Sequence, residues 1–163
     1  MNSVRFVVDG MLGSLARKLR MFGFDTLYYN GVDDNELLAI ASQEDRILLT
    51  SDKSLFQRAV NSSINSVLLD ASNDLDDMMH VLKSIGVSSI EFLPDKSRCP
   101  LCNGSLDIRG KESVNKLIPE NVLNMHEVFY FCQQCGKVYW EGSHLKKLQD
   151  FGLQVTRRLK NAA

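Results

Sequence analysis

Val4-Arg5-Phe6-Val7-Val8-Asp9-Gly10-Met11-Leu12-Gly13-Ser14-Leu15-Ala16-Arg17-Lys18-Leu19 carries the pattern that decides the architecture. The β-branched, mostly apolar run from Val4 to Val8 stops at Asp9-Gly10, as a buried strand stops at a turn. Leu12, Leu15, Ala16, Leu19 and Phe22 then recur at helical spacing. Arg17 and Lys18 face the other way, and Gly23 stands where the helix should end. Strand and helix keep alternating from there. Thr26 to Tyr29 is a second strand closed by Asn30-Gly31, and Asp34 stands at an N-cap ahead of Leu37, Leu38 and Ala41. Ile47 to Thr50 is a third strand ending in Ser51-Asp52, followed by a helix carrying Leu55, Phe56 and Ala59. Val67 to Leu69 is a fourth, and Asp74 is placed to cap a helix built on Leu75, Met78, Met79, Leu82 and Ile85. Such alternation predicts an α/β fold, a parallel sheet covered on both faces through right-handed crossovers. The pattern breaks between Ser88 and Pro94, and Asp95-Lys96-Ser97 reads as a linker.

A composition 44% apolar and 24% charged belongs to a globular chain with room for one core and a satellite module. A formal net charge of -1 excludes a basic field over the whole molecule, so nucleic-acid affinity must come from local patches. One such patch exists: Lys137, Lys146, Lys147, Arg157, Arg158 and Lys160 outnumber Glu141 and Asp150 near the end of the chain. A solvated helix face explains them equally well. No run approaches the roughly 20 apolar residues of a membrane span. The start, Met1-Asn2-Ser3-Val4-Arg5, lacks the layout of a signal peptide, which points to the cytoplasm.

In open parallel sheets ligands bind beyond the carboxyl ends of the strands. Here those ends are acidic: Asp9 follows the first strand, Asp33 and Asp34 the second, Asp52 the third, and Glu36 lies just inside the second helix. Singly, each aspartate is explained as a turn former or cap. Together, massed carboxylates repel one another, and a divalent cation is the simpler reason for collecting them. Hard oxygen ligands suit magnesium or manganese. Such an ion can lower the pKa of an attacking water and neutralise charge on a scissile phosphate.

The four cysteines form two CxxC pairs, Cys99-Pro100-Leu101-Cys102 and Cys132-Gln133-Gln134-Cys135. In a chain without a secretory signal this spacing predicts a zinc knuckle pair, in preference to redox dithiols or unligated thiols. Four protein ligands close the coordination sphere, so the zinc is structural. Gly104 and Gly136 suit the ribbon turns, and Glu127 to Phe131 and Lys137 to Trp140 look like strands around the second knuckle. Tyr139, Trp140 and His144, beside Lys146 and Lys147, are candidates to stack on bases or contact phosphates. Packing between the ribbon and the first domain explains Tyr139 and Trp140 at least as well.

The opening stretch through Arg20, then Phe22-Gly23-Phe24-Asp25-Thr26, resembles the PIN-like family named for the carboxyl-terminal RNase domain of the mut-seven exonuclease. Asp33-Asp34-Asn35-Glu36-Leu37-Leu38 and Ile47-Leu48-Leu49-Thr50-Ser51-Asp52 are similar to its second and third acidic motifs, and the likeness extends through Val138-Tyr139-Trp140-Glu141-Gly142-Ser143-His144. The resemblance implies a PIN-like three-layer sandwich and a ribonuclease, with Asp9, Asp34 and Asp52 in the metal-binding positions and RNA as substrate. Many PIN nucleases carry a further acidic residue on a helix between the first two motifs. The corresponding stretch here is a short loop without one, and Glu36 or Asp33 stands as the substitute.

The expected organisation is a nuclease domain over residues 1–94, a zinc ribbon over 98–145 and a basic, partly helical tail over 146–163. Chemistry then belongs to the first part and much of the RNA affinity to the rest, with Arg17 and Lys18 as further phosphate contacts. Two rivals stand beside this reading. One is a catalytically inactive RNA-binding or ribosome-associated adaptor, which has no need of carboxylates that oppose an anion. The other is an acyl-phosphate or phosphotransfer domain, for which Asp9 lacks an adjacent acidic partner.

Overall fold

The computed structural model describes residues 3–163. Met1 and Asn2, where the sequence reading starts the nuclease domain and judges the amino terminus, lie outside the described residues. Four parallel strands, β1 (Arg5–Val8), β2 (Asp25–Tyr28), β3 (Ile47–Thr50) and β4 (Ser66–Leu68), form one sheet in the order β2-β1-β3-β4. Each is followed by a helix: α1 (Gly13–Met21), α2 (Asp34–Gln43), α3 (Lys53–Asn61) and α4 (Asp74–Ser84).

Side chains alternate across the pleat and sort the helices into two layers. Phe6, Val8 and Leu49 pack under α1 and α4, whereas Val7 and Leu48 pack under α2 and α3. The result is the expected α/β sandwich. The chain leaves β1 over one face and β3 over the other, so the β1/β3 junction is the topological switch point, with its crevice beyond the carboxyl ends of those strands.

Two helix caps fall one residue earlier than expected. Asp33, not Asp34, accepts from the amide of Asn35 and caps α2; Asn73, not Asp74, accepts from the amide of Asp76 and caps α4. In both cases the earlier residue is also a strong capping type and holds the extended backbone a cap requires.

After a short 3-10 turn at Pro94–Lys96 comes a second sheet, antiparallel, built from β5 (Leu106–Arg109), β6 (Phe129–Cys132) and β7 (Val138–Trp140). Two short helices, α5 (Lys111–Val114) and α6 (Glu120–Met125), sit between β5 and β6, and Val114, Phe129 and Val138 form a small core of their own. The last element is α7 (Ser143–Asn161).

The residues set apart as a basic tail therefore form most of a helix, and it is not peripheral. Val155 and Leu159 are buried in the same core as α1 and α4. Gly152 lies so close to Phe22 that a Cβ there would stand 2.9 Å from the ring. The Thr156 hydroxyl accepts from the Ile90 amide and donates to the Ile90 carbonyl, and Arg158 pairs with Asp76 at 3.1 Å. The apolar positions of α7 recur at helical spacing, so the helix buries that stripe and leaves its cations to solvent.

The cysteine-bearing module docks on the amino-terminal edge of the parallel sheet. β2 is an edge strand whose Thr26 amide and carbonyl point away from the sheet, and both find partners. Asn103 Oδ1 accepts from the Thr26 amide at 3.0 Å, while the buried Arg20 donates Nε to the Thr26 carbonyl at 2.8 Å and Nη1 to the Pro100 carbonyl. Asn103 holds a left-handed backbone (φ 69°), a conformation asparagine tolerates, and its amide also donates to Asp25. Asp25 in turn accepts from the Arg46 guanidinium at 2.8 Å. The presumed linker is stitched down as well, because Arg98 N joins Gly23 N on the Arg20 carbonyl and Ser97 Oγ donates to the Met21 carbonyl at the end of α1. Among the described residues no helix is long and apolar enough to cross a membrane.

Candidate active site and metal centre

At the switch point, the Asp9 amide donates to Leu49 O and extends the β1/β3 ladder by one residue. This pins Asp9 beside Thr50, the last residue of β3. Thr50 is fully buried, and its hydroxyl donates to Asp9 Oδ2 at 2.9 Å while accepting from the Asp52 amide at 3.0 Å. Asp9 Oδ1 accepts from the Gly10 amide at 2.6 Å. Asp52 Oδ1 caps α3 by accepting from Ser54 N and Leu55 N at 2.8 and 3.0 Å. Thr50 thus ties the Asp9 carboxylate to the backbone of Asp52 across adjacent parallel strands.

Asp34 stands apart from that pair. Its Oδ2 lies 3.6 Å from Arg58 Nη1 of α3, and the same guanidinium donates to Asn35 Oδ1. Asp33 is occupied as the α2 cap, and Glu36 is exposed one residue into the helix beyond Asn35. The carboxylate oxygens of Asp9, Asp34 and Asp52 do not all lie within 4.8 Å of one another. Among the described residues, the cysteines are the one group of three or more metal-ligating side chains whose ligand atoms lie within 4.8 Å of one another.

That quartet has the geometry of a tetrahedral thiolate site. Cys99 and Cys135 Sγ are 3.7 Å apart, and Cys102 and Cys132 Sγ 3.4 Å. Four sulfurs about 2.3 Å from a common zinc would be separated by about 3.8 Å, whereas a disulfide holds its sulfurs at about 2.05 Å. Backbone amides of Leu101 and Cys102 point at Cys99, that of Gly104 at Cys102, and those of Gln134 and Cys135 at Cys132. The Tyr139 hydroxyl adds a further bond to Cys99 Sγ at 3.1 Å. Burial pushes the Cys99 thiol up, but these donors outweigh it and bring its pKa to about 7. Gly104 has no room for a side chain, since a Cβ would meet Cys132 Sγ at 2.9 Å, and Gly136 takes a positive φ of 76° in the second knuckle.

A family model described as the Mut7-C RNAse domain matches residues 4–151, from the first strand into α7. The chain belongs to the Mut7-C RNAse domain family. Membership brings a nuclease-like, RNA-related function, and the match spans both the aspartate edge and the cysteine centre. No curated protein and no solved structure matches the chain.

Of the other residues singled out in the sequence, Lys18 is already engaged: its Nζ pairs with Asp74, donates to Ser14 Oγ and sits 5.5 Å over the Phe151 ring. Arg17 is exposed on α1. Trp140, His144, Lys146 and Lys147 are exposed where the cysteine module meets the start of α7. Tyr139 belongs to the cysteine centre. Thr50, Arg58, Arg20 and Asn103 carried no signal in the sequence, because their roles depend on which strands and loops become neighbours.

Proposed function

We propose that this Mut7-C domain hydrolyses RNA phosphodiester bonds with one or two magnesium or manganese ions at the β1/β3 switch point. The observation that carries the reading is the Asp9–Thr50–Asp52 linkage. Magnesium keeps several waters and needs only one or two carboxylates, so Asp9 and Asp52 suffice without a closed cage of three. The bound ion would supply a more acidic attacking water and offset charge on the phosphate. Thr50 fixes the Asp9 carboxylate by donating to one oxygen, and Gly10 N holds the other. Asp34, now beside Arg58, would serve as a further ligand to the ion or its waters, with Asp33 and Glu36 nearest to it in the chain. The cysteine quartet holds one structural zinc, and the ribbon with the start of α7 contributes RNA binding through Trp140, His144, Lys146 and Lys147.

The adaptor reading draws on one observation, the Arg58–Asp34 pair, in which a basic residue already neutralises one of the three acids. The two readings separate on labelled RNA with added manganese. Cleavage by the native protein and its loss in Asp9→Asn and Asp52→Asn support the nuclease. Asparagine keeps an acceptor at both positions and caps helices well, so both variants should fold. Undiminished cleavage in both variants, or with no divalent cation added, would sink the metal mechanism.

A further inference from the structure

Where the antiparallel ribbon, the Pro94–Lys96 turn and the first turns of α7 meet, they enclose a cavity of about 250 Å³. Phe92, Tyr130, Val138, Trp140, His144 and Leu148 form its walls, and Met21, at the end of α1, lies at its base. We propose that this cavity receives one unpaired nucleobase of the RNA strand, anchoring the substrate away from the scissile bond. The proposal rests on the reading of the chain as an RNA nuclease and adds the strandedness of its substrate and a second point of attachment.

Size argues for a single ring system, since the cavity is smaller than the roughly 300–1,000 Å³ pockets that take drug-sized ligands. The walls are aromatic and aliphatic, and aromatic side chains stack on any base because every base has a π-face. Three polar groups there are already committed. Tyr130 Oη donates to Glu141, Ser97 Oγ donates to the Met21 and Leu93 carbonyls, and Tyr139 Oη is bonded to Cys99. Among the described residues the His144 ring, the Trp140 indole N–H and the Lys137 ammonium make no hydrogen bond, so stacking would hold any base while these groups remain free to meet its edge.

Charge at the mouth fits a polyanion. Lys137 lines it, and Lys146 and Lys147 are exposed in the adjacent turns of α7, against Glu141 and Asp95 near Tyr130. A base still paired in a duplex cannot turn into such a pocket, which makes single-stranded RNA the substrate class. Position makes it an anchor and not part of the reacting centre. α1 starts at the aspartate edge and ends at the cavity, and its rise from Gly13 to Met21 is about 12 Å.

Trp140 is the chain's single tryptophan, so its fluorescence reports on the cavity. The zinc-loaded full-length protein, with no magnesium or manganese added, is titrated with a short 5′-labelled oligouridylate and with a blunt RNA duplex. Label anisotropy follows binding independently. The expected result is a saturable change in tryptophan emission that tracks binding of the single strand and is absent with the duplex. Leu148→Phe, which fills the cavity without altering charge, and Trp140→Leu should each weaken the single strand about tenfold while leaving the salt dependence unchanged, and Trp140→Phe should restore most of the affinity. Oligouridylate binding with silent tryptophan and no loss in either weakening variant overturns the anchor and leaves the nuclease reading standing. An emission change shared equally by the duplex, or given by an amphipathic peptide and not by oligouridylate, also overturns it. No binding of either RNA overturns the anchor, and the manganese cleavage assay decides the nuclease reading separately.

Discussion

Thr50 is the residue on which the aspartate edge turns, because one buried hydroxyl both orients Asp9 and receives the Asp52 amide. Thr50→Val keeps the shape and removes both bonds. The expected cost is about 1–2 kcal/mol of stability, from an unsatisfied amide, with manganese affinity about tenfold weaker. Denaturant unfolding and metal titration of cleavage measure the two effects separately. Asp25 carries a different consequence. Burial alone would raise its pKa, but hydrogen bonds from Arg46 and Asn103 outweigh that and hold it below the ordinary aspartate value. A depressed pKa stabilises the fold above the unfolded-state value near 4, and that contribution is lost as pH falls through the folded-state value. Asp25→Asn leaves Arg46, only 6% exposed, with Glu44 and the Phe6 carbonyl, and should cost about 2 kcal/mol, less than a fully buried pair because Asp25 is 20% exposed. The gap in melting temperature between native protein and variant should therefore narrow from pH 6 to pH 3. Asp9 and Asp52 were visible in the sequence as acids at strand ends. Their tie through Thr50 was not, because it exists only once β3 lies beside β1. Likewise nothing local marked Arg58 as the partner of Asp34.

At the scale of elements, the first four strand and helix pairs were legible because each repeats a strong period and ends in a turn residue. Caps slipped by one residue where two capping types stand side by side, as in Asp33-Asp34 and Asn73-Asp74. β5, α5 and α6 escaped notice because each is too short to establish a period. α7 was read by its charges, when the stripe of Leu148, Phe151, Val155 and Leu159 decides where it lies. Gly152 belongs to that stripe and tests the packing. In an exposed helix Gly→Val is mildly favourable, but here the new side chain meets Phe22. Gly152→Val should destabilise by about 2 kcal/mol through overpacking, read as a lowered thermal midpoint by circular dichroism.

At the scale of the whole molecule, the cysteine module and α7 both hold up the parallel sheet. Changing Cys132 to Ser, or removing the zinc proposed for the cysteine quartet, should raise hydrogen exchange at the Thr26 amide, since Asn103 in the first knuckle is its partner. A tail-like module would leave Thr26 unchanged. Cutting the chain after Lys96 removes Asn103, Val155 and Leu159 together, so that fragment should remain unfolded, although the sequence assigns the chemistry to it, and its circular dichroism checks this. The order of these parts along the chain matters for synthesis. Asp9, Asp34 and Asp52 leave the ribosome before the cysteine module, and the helix that closes the core beneath them comes after that module. A domain that folds as a unit must wait for its last element. Under the proposed function, a growing chain carries the acids of a ribonuclease without the enzyme, and the messenger being translated is spared until α7 has emerged.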